Sequence, residues 1–450
     1  MGDWDMVLVS VLWIGKLCMA AAPVTMPLHI VGPWTIEVGP GSIHLAGKRV
    51  AVEKAVRLDI APPAIVKVTD EKYDRLPVYN EKAPGWLKGV KMPPLQAEEC
   101  SATGLLTPGS FRMKDAPGSS RSFIAGVDYG FDEFWATFGR MEGGAIAENQ
   151  PVYCDYEYAH HRLDSLVAGA DGGIRVVQGT PAQALALPPV LHTDDILIAN
   201  VFVSGETRQL TGESLFPVDA HLPPAYSSPA PVADRLLPRT LAKLREGKPV
   251  VIVAFGDSVT CGGGVGANKA DWYQYQFQKR LQARFPKSPI TMLTAGWGGA
   301  SSKAYLDSPR GSEHDFVRDV LEPKPDLVTI EFVNDAYLDE AGVAAHYGGI
   351  VERLQQNGSE VILITPHLVR PDWMKVETMK FDEDPRPYVR GLRQFGEARG
   401  IAVADASAEW CMLWRRGIPY ITILANAINH PDVRGHELFA RVLLGLFPEQ

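Results

Sequence analysis

From Pro249 to the C-terminus, short unbroken apolar runs alternate with amphipathic segments of helical length. VVIVAF, ITMLTA, LVTIEF, VILIT and IAVAD are the runs, and WYQYQFQKRLQARF and GVAAHYGGIVERLQQ are two of the segments between them. A strand that is apolar at every position is buried on both faces, as in a parallel sheet covered by helices. The pattern predicts a doubly wound, flavodoxin-like α/β domain over 248–450.

Upstream the pattern differs. Within 27–220, runs such as HIVGPWTIEV, KRVAVEKAVRLDI, GIRVVQG and DILIANVFVSG alternate apolar with polar residues and stop at Gly, Pro or Asp-Gly. That is the signature of half-exposed antiparallel strands, so this half is expected to be a β-rich, β-sandwich-like accessory domain. Ala170-Asp171-Gly172-Gly173 is a tight-turn candidate within it. Between the halves, 221–247 reads as a linker rich in Pro, Ser and Ala, ending in a short helix near Leu241–Glu246. Residues 1–26 contain an apolar run ending in small residues, which resembles a signal-peptide core. An acidic MGDWD start and Lys16 depart from that pattern, and a buried N-terminal strand is the other reading. Secreted or periplasmic placement is the expectation, with cytoplasmic as the alternative. The run falls short of the ~20 residues of a membrane span and carries a lysine, so no stable membrane insertion is expected.

Charge and composition narrow the function classes. Lys plus Arg number 44 against 53 Asp plus Glu, a net −9, so there is no basic field for nucleic acid. The five cysteines contain no C-x-x-C pair, which argues against a zinc knuckle; a Cys100 to Cys154 bridge stays open beside free buried thiols. His160-His161 and His192-Thr193-Asp194-Asp195 lack a third spaced ligand, so no metal and no cofactor are expected. Neither a G-x-x-x-x-G-K-[ST] phosphate loop nor a G-x-S-x-G elbow occurs.

In an open α/β sheet, ligands bind beyond the carboxyl ends of the strands. The residues there are Gly256-Asp257-Ser258-Val259-Thr260, Ala295-Gly296-Trp297-Gly298-Gly299, Val333-Asn334-Asp335 and Pro366-His367-Leu368-Val369-Arg370, with Asn429-His430-Pro431-Asp432 before the last helix. They supply a serine, a glycine-rich backbone, an asparagine and a histidine, the parts needed for acyl transfer.

These blocks resemble the SGNH, or GDSL-type, hydrolase superfamily, over residues 248–450. The resemblance implies Ser258 as nucleophile, His430 as general base, and an oxyanion hole from the amides of Ser258 and Gly299 with the Asn334 side chain. Three positions depart from the family pattern: Phe332 and Thr294 replace its usual glycine and asparagine, and Ala427 occupies the slot of the triad acid. The resemblance therefore implies a Ser-His dyad or an atypical triad, the histidine oriented by Asp432, Asn429, a backbone carbonyl or another side chain. His436 reads as a structural hydrogen-bonding group, and Cys261 as packing under the loop.

Trp297, Tyr337, Trp373 and Trp410 fall near the expected active edge, and His367 and Arg370 offer hydrogen bonds to a polar leaving group. With an attached β-domain, the resemblance implies a serine esterase acting as a carbohydrate O-acetyl esterase on small or polysaccharide esters. The alternatives are a lipase- or thioesterase-like acyl hydrolase, or a non-catalytic glycan-binding or adhesion protein with a degenerate hydrolase domain. The oligomeric state is not legible.

Overall fold

A computed structural model describes residues 26–45, 48–219 and 231–449, without the side chains of 43–50. The signal-like segment lies outside the described residues, as do 220–230 of the expected linker. The chain divides into two units: residues 1–222 with 414–428, and residues 223–413 with 429–450. The second unit is thus not one continuous stretch. Residues 414–428, which the sequence pattern assigned to the α/β domain, belong to the β-rich unit, where Ala427 and Ile428 enter apolar clusters with residues such as Met113 and Trp135.

The β-rich unit is antiparallel throughout its named sheets. A three-stranded sheet over Leu28–Gly32, Thr35–Val38 and Val56–Asp59 shares an apolar core with a four-stranded sheet that includes Arg162–Ala168 and Ile196–Val203. Ile36 and Val38 from one sheet pack with Leu166 and Val201 from the other, a sandwich in which every second side chain of the first sheet points inward. The expected turn at Ala170–Gly173 joins two paired strands: Asp171 Oδ1 accepts the Gly173 N–H at 2.9 Å, an Asx turn. His160 and His161 serve the backbone here. His160 Nε2 lies 2.8 Å from the Pro94 carbonyl, and His161 Nδ1 accepts the Gly205 N–H at 3.1 Å. Cys100 and Cys154 are buried free thiols, as is Cys411.

The second unit runs α1 (Pro238–Glu246), β1 (Val250–Gly256), α2 (Tyr273–Arg284), β2 (Ile290–Gly296), α3 (Ser302–Asp307), β3 (Leu327–Glu331), α4 (Glu340–Gln356), β4 (Glu360–Ile364), α5 (Pro387–Arg399), β5 (Ala402–Ala404), α6 (Ala406–Cys411) and α7 (Val433–Gly445). The five strands are parallel in the order β2-β1-β3-β4-β5, and each coincides with one of the five apolar runs. This is the flavodoxin-like order, with its crevice beside β1.

The ends of the helices follow from local chemistry. Pro238 and Pro387 occupy the first helical positions, where a missing N–H costs nothing, and Gly247 and Gly400 close α1 and α5 in left-handed conformations. Asp339 caps α4 by accepting the Gly342 N–H at 2.7 Å. One face of the sheet buries Val253, Phe255 and Ile330 against Val351, Leu354 and Leu392 of α4 and α5. Phe332, where the family has glycine, is fully buried in that cluster and packs edge-on against Phe255 at 4.8 Å. The departure fills the core.

Candidate active site

Strand β1 is buried along nearly its whole length, and its last residue delivers the chain into a tight turn. Asp257, wholly buried, closes that turn: its Oδ1 accepts the Val259 N–H at 3.1 Å and its Oδ2 the Asn334 N–H at 3.0 Å. Burial, the largest influence, pushes its carboxyl up to about 7, against the two donated N–H groups and nearby His430. Ser258 is left half-buried at the turn's outer edge. Its Oγ lies 3.0 Å from His430 Nε2. With that nitrogen unprotonated, the hydroxyl donates to it, the ground-state arrangement of a nucleophile and its base.

The turn continues into a run of glycines packed against the histidine loop. Gly263 donates its N–H to the Ser258 carbonyl at 2.8 Å. Gly264 has φ +88°, and a Cβ there would fall 2.0 Å from the Pro431 carbonyl oxygen, so only glycine fits. His436, buried on α7, accepts the Tyr273 N–H at Nδ1 (3.0 Å), which leaves its Nε2–H to donate to the Gly263 carbonyl at 3.1 Å. Burial holds this imidazole down at about 4, hence neutral. Its structural role is the one expected from sequence.

The other two expected oxyanion donors, Gly299 and Asn334, follow β2 and β3. The Trp297 N–H donates to the Gly256 carbonyl at 3.1 Å, which ties the second loop to the first. The Cβ position of Gly298 is 3.9 Å from Ser258 Cβ, and Gly299, exposed with φ +77°, follows. Asn334 Nδ2 donates to the Ala300 carbonyl at 3.3 Å, leaving its other amide hydrogen for a ligand. Asp335 binds the two loops together: it accepts from Ser302 N at 2.9 Å, Ser302 Oγ at 2.5 Å and Tyr347 OH at 2.8 Å, while Ser302 Oγ also lies 2.7 Å from His346 Nε2. Burial raises the carboxyl of Asp335 and, more strongly, that of Glu331 beside it. Neither the Asp335 network nor the double role of Asp257 carries a sequence signal beyond adjacency to Asn334 and Ser258.

Other expected site residues fall elsewhere. His367 has no exposed surface and Arg370 only 6%, so neither faces a leaving group. His367 Nε2 lies 2.7 Å from the Asn429 carbonyl, and Arg370 Nε donates to Asp372 Oδ1 at 2.5 Å. Trp410, 1% exposed, is a core residue packed on the His367 ring. Asp432 caps α7: Oδ1 accepts the N–H groups of Arg434 and Gly435, and Oδ2 accepts Arg434 Nε at 2.7 Å. Its carboxylate is committed to the helix end. Trp297 is half-buried, one face stacked on His314 at 4.4 Å, while Tyr337 and Trp373 are 63% and 42% exposed. The Cys261 thiol, half-buried, is raised by burial and the neighbouring Asp257 charge, which makes it a poor nucleophile.

A serine hydroxyl on a strand-end turn, an imidazole in contact with it, and a glycine loop and asparagine around it define an acyl-transfer hydrolase centre on a doubly wound sheet. Residues 254–438 match the family model described as GDSL-like Lipase/Acylhydrolase family. Among solved structures, the chain is similar to a two-domain esterase, CEX, described as active on acetylated mannans (21% identity, 46% of this chain and 50% of that one, TM-score 0.37). It is also similar to Axe2, an acetylxylan esterase from Geobacillus stearothermophilus (22% identity, 44% of this chain and 95% of that one, TM-score 0.35), and to LAE5, an α/β hydrolase from the metagenome of Lake Arreo, Spain (21% identity, 44% and 97%, TM-score 0.34). The match spans about half the length of the two-domain esterase. No curated protein sequence matches the chain.

Proposed function

We propose that the protein is a serine esterase that hydrolyses carboxylic esters through an acyl-enzyme, with O-acetylated carbohydrate as its substrate class. The observation that carries the reading is the 3.0 Å approach of His430 Nε2 to Ser258 Oγ at the end of β1. In the proposed reaction His430 takes the Ser258 proton as Oγ attacks the ester carbonyl. The amides of Ser258 and Gly299 and the free amide hydrogen of Asn334 receive the oxyanion. The protonated His430 gives its proton to the departing alkoxide. Water, deprotonated by His430, then attacks the acyl carbonyl; the bond to Ser258 Oγ breaks, His430 returns its proton to that oxygen, and the acid leaves.

The carbohydrate part rests on a different feature. Tyr337, three residues beyond Asn334, and Trp373, in the loop after β4, present exposed aromatic rings, and flat aromatic faces stack on sugar rings.

Release of p-nitrophenol from the acetate ester by wild type and Ser258→Ala tests the esterase reading. Serine-dependent release is expected, and none from either protein would favour a glycan-binding protein instead. An acyl-length series from acetyl to octanoyl, together with acetate release from acetylated mannan and acetylxylan, then separates a deacetylase from a lipase or thioesterase. A rate that rises with chain length would reject the deacetylase.

A further inference from the structure

Buried beneath the histidine loop is a second imidazole with no assigned part in the chemistry. His367 follows β4, has no exposed surface, and places Nε2 2.7 Å from the main-chain carbonyl of Asn429, the residue before His430. A carbonyl only accepts, so Nε2 carries the hydrogen and Nδ1 is bare; Nδ1 has no hydrogen-bond partner among the described residues. Burial first and the Arg386 charge second keep the ring's basicity well below that of an ordinary histidine, so it stays a neutral donor.

The ring is fixed on both flanks, by Trp410 at 5.2 Å and by Phe439 of α7 at 5.8 Å. Its backbone is fixed as well. Arg386 donates from one guanidinium nitrogen to the His367 carbonyl at 2.8 Å and the Pro366 carbonyl at 3.2 Å. Arg386 in turn forms a buried pair with Asp384, which also accepts from Ser407 Oγ at 2.8 Å. A continuous run of held groups thus leads from α6 to the peptide that carries His430.

We propose that His367 is a positioning residue for His430: by holding the Asn429 carbonyl it sets the main-chain position from which the His430 ring reaches Ser258. The proposal rests on the Ser258–His430 reading above, and its test has one readout that does not require turnover.

In the full-length protein, His367 is changed to Gln, Asn and Phe. A glutamine amide nitrogen reaches where Nε2 was, an asparagine amide is one methylene too short, and phenylalanine fills the space without donating. On p-nitrophenyl acetate, kcat of His367→Gln is expected within about threefold of wild type. His367→Asn and His367→Phe should lose about 10- to 100-fold with KM unchanged, the scale of a displaced reacting group. Ring 13C–1H NMR signals, with His430 assigned by its loss in His430→Ala, should shift or broaden for His430 in the Asn and Phe variants and persist in Gln. Wild-type kcat together with an unmoved His430 signal in Asn and Phe would overturn the proposal. So would losses in all three variants that merely track their melting temperatures. If wild type proves inactive, the hydrolase reading fails, and the NMR comparison alone decides the positioning role. If Phe does not fold, the Gln and Asn pair decides it.

Discussion

Asp257 Oδ2 accepts the main-chain N–H of Asn334 at 3.0 Å, while Oδ1 holds the Val259 N–H. One buried carboxylate therefore sets both the turn that presents Ser258 and the loop that presents Asn334. Asp257→Asn keeps one acceptor but turns an NH2 toward the other N–H, leaving a buried donor unpaired at a cost of about 1–3 kcal/mol. The variant is expected to fold, to lose that much stability in urea unfolding, and to lose about 10- to 100-fold in kcat as the two loops separate. Wild-type kcat would show that the two loops hold their relation without it.

Asn334→Ala isolates the oxyanion contribution. Its side chain donates to the Ala300 carbonyl at 3.3 Å. Removal should cost roughly 10²–10³ in kcat and about 1 kcal/mol or less of stability. Steady-state kinetics beside a melting curve checks the contrast; an unchanged kcat would remove Asn334 from the hole.

The glycine run supplies a matched pair. Gly264 and Gly266 both have positive φ, +88° and +69°, but a Cβ at Gly264 collides with the Pro431 carbonyl while one at Gly266 meets open space. Gly266→Ala should cost about 1–2 kcal/mol of backbone strain and leave kcat intact. Gly264→Ala must push the His430–Pro431 peptide away, and kcat/KM should fall by about 100-fold. Equal effects of the two changes would mean that strain, not displacement, is what activity feels.

His436 gives a pH dependence with a definite sign. Its folded value, held near 4 by burial, lies below the ordinary 6.5. Between pH 4 and 6.5 the unfolded chain binds the proton that the folded one refuses. The contribution is therefore complete above 6.5 and lost as pH falls toward 4. Asp257, raised to about 7, acts oppositely over 3.8 to 7, so the comparison must be between proteins rather than between pH values. The stability advantage of wild type over His436→Asn should shrink by about 2 kcal/mol from pH 7 to pH 5. A constant difference would place His436 in a more polar setting than its burial indicates.

The parallel sheet was legible because a strand covered on both faces has no alternative to an unbroken apolar run, and VVIVAF or VILIT tolerates little else. His430, before the last helix, was legible through the resemblance of its block, and Ser258 and Asn334 because the sheet's topology puts chemistry at strand ends. His367, Arg370 and Trp410 were misplaced by the same rule. They follow strands or sit in loops, but α7, through Phe439, and the Arg386–Asp384 pair cover or tether that loop, and these lie far along the chain from it. Asp432 reads as a spare acid until the helix it caps is seen. The boundary near 414 was invisible for a related reason: apolar residues such as Ile428 look alike whichever core receives them.

That boundary bears on how the protein comes into being. The β-rich unit takes in residues 414–428, so its last piece leaves the ribosome only when nearly all 450 residues have been made. The half begun first is therefore completed only shortly before the other, whose last piece is 429–450. A gene cut at the 221–247 linker would split the first unit rather than separate two modules, leaving Cys100 and Trp135 without Ile428. The two halves are interleaved along one chain.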